Sequence, residues 1–97
     1  MKIPEEVKIG PFTYKVRLVD IVNRERPELI GEVSHDINKE IRLQKALDQD
    51  KLESVFIHEL LHCVDVFMHL GLTEEQIERL EGAVYMVLKQ NNLLRED

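Results

Sequence analysis

The 97-residue sequence has little that would hold a chain together from outside or carry it through a membrane. It contains one cysteine, Cys63, so no internal disulfide can form. It has no run of roughly 18 apolar residues, the length a membrane-spanning helix requires. Its opening stretch, "MKIPEEVKIG", lacks the apolar centre of a secretory signal. Together these absences point to the cytoplasm. Basic residues are few: the net charge is −6 and the pI about 5.2. Lys15, Arg17, Arg24, Arg26, Lys39 and Arg42 are scattered and form no stripe, which argues against a nucleic-acid partner. Repeats, low-complexity segments and long linkers are also missing. The expectation is one domain over 1–97, with one small core.

What is present is an ordinary globular balance, 43% hydrophobic and 33% charged, divided into two halves of different period. In "VKIGPFTYKVRLVDIV" (Val7–Val22), Phe12, Tyr14, Val16 and Leu18 alternate with Thr13, Lys15 and Arg17. A period of two predicts a half-buried strand, entered through a turn at Gly10-Pro11. The charged stretch Asn23–Gly31, with Pro27, reads as a loop. Leu29–His35 and Glu40–Gln44 read as a hairpin turning near Asp36–Lys39.

Beyond Asp48 the period changes. Leu52, Val55, Phe56, Leu60, Val64, Phe67 and Met68 follow the three-to-four spacing of an amphipathic helix. Asp48 or Asp50 is its expected N-cap and Gly71 its terminator. A second helix starts at Thr73, where Gln76 completes a capping box and Glu74 and Glu75 occupy the favourable first turn. Asn91 and Asn92 end it. The expected fold is α+β: a small three-stranded antiparallel sheet packed on two main helices.

The first helix carries "HELLH", residues 58–62. Residues four apart share a helix face, so His58 and His62 can aim two imidazole nitrogens at one zinc ion. Glu59 lies beside that point, where a carboxylate can take a proton from a zinc-bound water. Four histidines among many glutamates make a chance match a real risk, but the pentad falls inside a predicted amphipathic helix.

A catalytic zinc generally has three protein ligands. His69 is seven residues past His62, about 10 Å further along the helix, too far to share the ion. Asp65 stands where a metzincin requires glycine, and His69 comes one residue late for that pattern. Asp65 is at best an orienting partner for an imidazole. The third ligand then comes from the second helix, where Glu74, Glu75, Glu78 and Glu81 are available. Glu74 and Glu75 are accounted for as helix-start charges. Glu78 adjoins Ile77 and Leu80 and can reach the helix interface, with Gly82 permitting a close approach. Glu78 is therefore preferred and Glu81 is the alternative. Of the remaining polar residues, Cys63 reads as a small buried hydrophobe and Tyr85 as a core tyrosine. His35 reads as a turn histidine, although an imidazole there can polarise a carbonyl.

The hairpin followed by "FIHELLHCVDVFMHLGLTEEQIERLEGAVYMVLKQNN" (Phe56–Asn92) resembles the minimal gluzincin metallopeptidases, the minigluzincins. It is also similar to short zinc-peptidase proteins of phages and prokaryotes. The resemblance runs from about Gly10 to Asn92, and its most specific parts are the pentad and "EEQIERL". It implies zinc held by His58, His62 and, from the "IERL" context, Glu78 on a glutamate helix, with Glu59 as general base. It implies a twisted sheet whose edge strand binds a peptide or protein substrate in extended form; here that is the last strand, with Glu40, Ile41, Arg42 and Leu43. It also implies possible latency, with the C-terminal segment lying in the cleft and Asn91 or Asn92 near the metal, although both asparagines serve equally as helix caps. The expected function is a zinc metallopeptidase. The competing expectations are a catalytically silent, zinc-stabilised binding module and a metal-free interaction protein.

Overall fold

The structure, a computed structural model, describes residues 1–95. Its elements run β1 (Glu6–Ile9), β2 (Phe12–Val19), β3 (Gly31–Ser34), β4 (Glu40–Gln44), α1 (Gln49–Met68) and α2 (Glu74–Gln90). The α+β class and the two helices are as expected. The sheet differs: it has four strands in the order β1-β2-β4-β3, and it is mixed.

The extra strand comes from the Gly10-Pro11 turn. Gly10 has φ +57°, a left-handed conformation that glycine adopts without steric cost. The chain therefore folds back, pairing Ile9 with Phe12 and Glu6 with Lys15. A side chain at Gly10 would also strike the Phe67 ring, since an added Cβ would lie 2.4 Å from it. The hairpin and the end of α1 thus close on each other at this residue. The second departure is that β4 runs parallel to β2, with Val16 beside Ile41 and Leu18 beside Leu43. On its other side β4 pairs antiparallel with β3, Val33 opposite Ile41.

The two faces of the sheet have different chemistry. Tyr14, Ile41 and Leu43 point inward and meet Leu52, Val55, Phe56 and Cys63 in the core. On the outer face Arg42 pairs with Glu32 and Glu40, and Arg17 Nε donates to Glu40 at 2.9 Å. A charged outer face needs no second layer. Of the alternating residues in β2 only Tyr14 is fully buried; Phe12 and Leu18, near its ends, are 43% and 49% exposed.

Helix α1 is capped by the Asp48 side chain, which accepts from the Lys51 amide. It ends at His69, in the left-handed region at φ 54°, before Gly71 is reached. The expected capping box of Thr73 and Gln76 starts α2. Among the described residues α2 packs on α1 and on no strand. No described helix is long and apolar enough to cross a membrane.

Candidate metal centre

Because α2 runs back along α1, its first turn lies against the middle of α1. Ile77 is the fully buried residue of α2. Polar groups also meet across the join. Glu74 lies against His58 and His62; Glu81 against His58 and Ser54; Tyr85 against Glu53; Lys89 against Asp50. The Glu53 carboxylate is fully buried. It gathers Gln49, the Met1 amino group, the Tyr85 hydroxyl and Lys89. Burial alone would raise its pKa, but these donors outweigh it and lower the value to about 2.

At the other end of the join, Glu74 Oε1 lies 2.7 Å from His58 Nε2 and Oε2 lies 3.0 Å from His62 Nε2. The two Nε2 atoms are 3.2 Å apart. One atom from each of His58, His62 and Glu74 fits within a mutual distance of 4.8 Å. The opposite nitrogen of His58, Nδ1, meets Glu81 Oε1 at 2.8 Å, and the other Glu81 oxygen accepts from Ser54. Burial opposes charging of His58, but the Glu81 hydrogen bond and the charges of Glu59, Glu74 and Glu81 raise its pKa. Two imidazoles and a carboxylate converging on one point, with one imidazole oriented from behind by a second carboxylate, are a donor set suited to zinc.

Glu59 is only 5% exposed and accepts no hydrogen bond from the described residues. Gly31 of β3 covers it: a Cβ at that glycine would come within 2.9 Å of Glu59 Oε2 and 2.5 Å of Val55. Burial is the main reason its pKa rises, to about 7; Glu74, Glu32 and Glu81 push the same way and His58 opposes them. Glu59 borders a cleft of about 920 Å³ between β3, α1 and α2 that is also lined by His35, His58, His62, Glu74, Glu78 and Glu81.

No family model, curated protein or solved structure matches this chain.

Three sequence-based expectations change. Glu74 occupies the place expected of Glu78. A first-turn carboxylate serves the helix dipole and still reaches across to α1. Glu74, Glu78 and Glu81 share one face at the i, i+4, i+7 spacing. Which of them meets the histidines depends on the rotation and offset of α2, which local sequence does not encode. Glu78 lines the cleft outside the cluster, and Glu81 stands behind His58.

The strand expected to take a peptide is not an edge strand. Glu40, Ile41, Arg42 and Leu43 lie in β4, which is paired on both sides. Ile41 and Leu43 are fully buried, and Glu40 and Arg42 are held in outer-face ion pairs. The edge strand beside the cleft is β3.

The third change is at the C-terminus. Asn91 caps α2, its side chain donating to the Val87 carbonyl at 2.8 Å, at the opposite end of the helix from Glu74. Neither Asn91 nor Asn92 lines the cleft. Residues 96 and 97 of the tail lie outside the described residues.

Asp65, considered above as an orienting partner, instead accepts from the Leu72 amide at 3.0 Å and braces the turn between the helices. Ser54 carried no signal in the sequence; its role depends on Glu81 arriving from α2.

Proposed function

We propose that the protein is a zinc-dependent peptide hydrolase in which His58, His62 and Glu74 hold the metal and Glu59 is the general base. Zinc in such a site polarises a water molecule and the substrate carbonyl. Glu59 takes the proton from the attacking water and returns it to the departing amine. Glu81 holds His58 through Nδ1, leaving Nε2 for the metal. A peptide adds in extended form along the free edge of β3, Gly31–Ser34, which borders the cleft and offers unpaired backbone groups.

Glu59 carries this reading over that of a silent zinc-stabilised module. A structural site gains nothing from an ionisable carboxyl enclosed beside the histidines, where burial raises its pKa and penalises its charged form. A general base needs a carboxyl in that place, beside the two imidazoles and bordering the cleft, where it could take a proton from a water held there. A purely structural zinc site would be served equally well by glutamine at position 59.

The test is zinc content by mass spectrometry together with turnover of a mixture of fluorescence-quenched peptides. Glu59→Gln should retain zinc and lose turnover by about 10²–10⁴-fold. Glu74→Ala should lose zinc while Glu78→Ala keeps it. A wild-type protein purified without zinc and unable to take it up would overturn the proposal, as would full turnover in Glu59→Gln.

A further inference from the structure

Of the three histidines that line the cleft, His58 and His62 converge on Glu74, while His35 lies outside that cluster. We infer that His35, fixed by Tyr14, is a catalytic residue: its Nε2–H donates to the carbonyl oxygen that gains negative charge when a bound peptide is attacked. The inference rests on the hydrolase reading and adds to it a group from the sheet.

The geometry starts at Tyr14 in β2, which is 3% exposed. Its hydroxyl lies 2.9 Å from His35 Nδ1. The two rings pack edge to face, with centroids 5.8 Å apart and an interplanar angle of 79°. The backbone at His35 is pinned as well. Lys39 Nζ donates to the carbonyls of His35 at 3.0 Å and Asp36 at 3.1 Å, which ties the β3–β4 turn together.

The tautomer follows from an accounting of protons. No other acceptor for the Tyr14 hydroxyl exists among the described residues. If Nδ1–H donated to the phenol oxygen, the buried hydroxyl proton would have no partner, at a cost of about 1–3 kcal/mol. The hydroxyl therefore donates to Nδ1, and the ring proton sits on Nε2. Burial, and secondarily Cys63, raises the Tyr14 pKa, so the phenol keeps its proton. Burial lowers the His35 pKa, with His62 and Lys39 acting in the same direction and Asp36 against them. His35 is then a neutral imidazole whose Nε2–H has no protein partner among the described residues and is left to the cleft. A donor preorganised in this way stabilises charge that develops only in the transition state. Tyr14 never touches substrate and is a positioning residue.

The experiment uses the zinc-loaded full chain. Long-range ¹H–¹⁵N correlation of the histidine rings should show His35 as the Nε2–H tautomer, and Tyr14→Phe should let it revert toward a mixture. An Nδ1–H tautomer in the wild type overturns the inference whether or not the protein turns over. In the quenched-peptide assay, His35→Ala should lower kcat by about 10²–10³-fold, with KM and zinc content unchanged. His35→Gln should restore part of that loss through its amide N–H. A kcat unchanged in a folded, zinc-loaded His35→Ala protein rejects the inference while the hydrolase reading stands. A zinc-loaded wild type that cleaves no peptide rejects both.

Discussion

Replacing Glu59 by glutamine should lower turnover by about 10²–10⁴-fold and, in the metal-free protein, raise stability. The carboxyl is driven from an ordinary pKa of 4.5 to about 7, chiefly by burial. Between those values the folded state binds more protons than the unfolded state, so stability falls as pH rises through that window. The full stability is present below about pH 4.5 and is lost as pH passes through about 7. At 1.36 kcal/mol per pH unit, the cost at neutral pH is about 3 kcal/mol. Glutamine has the same shape and does not ionise. The metal-free variant should therefore match wild type near pH 4.5 and exceed it near pH 7 by about 3 kcal/mol. For a domain of this size that is a Tm difference on the order of 10 °C. Circular-dichroism melts of both proteins in chelator, from pH 4.5 to 8, read this directly, and titrations common to both cancel in the comparison. Zinc should narrow the gap, because a nearby cation favours the carboxylate. A Tm difference that stays constant from pH 4.5 to 7.5 would refute the claim that the fold holds Glu59 as a strained acid.

Three further outcomes are expected. Glu53→Gln should cost about 3 kcal/mol at pH 7, because donors hold the native pKa near 2 against an ordinary 4.5, at 1.36 kcal/mol per pH unit. The native carboxylate is favoured above pH 4.5, so this difference should shrink as pH falls from 4.5 to 2 in denaturant titrations. Gly31→Ala should destabilise by about 1–3 kcal/mol in thermal melts, since its methyl would meet Val55 and Glu59 in a packed interior. Glu81→Ala should weaken zinc binding by about 10–100-fold in a chelator-competition titration, because His58 loses the group that orients it.

The local parts of this fold were legible because they depend on neighbouring residues. The Thr73–Gln76 capping box, the Asp48 cap and the helical face carrying His58 and His62 each follow from spacings of three or four residues. What depends on assembly was not legible. The parallel pairing of β2 with β4 leaves no mark on either strand, since Ile41 and Leu43 alternate the same way in an interior strand as at an edge. The identity of the carboxylate at the histidines is likewise set by where α2 stops sliding along α1. Tyr14 and His35 are 21 residues apart, and each alone has the appearance of a routine core or turn residue.

Beside the buried Ile77, the join between α1 and α2 carries a row of charged and hydrogen-bonded pairs. Oil-like interfaces tighten with added salt and are largely indifferent to pH; this one should respond to both. Glu74 and Glu81, which gather around His58 and His62, also tie α2 to α1, so the candidate site and the docking of this helix share contacts. An ion that bound these groups would therefore also stabilise the docked helix.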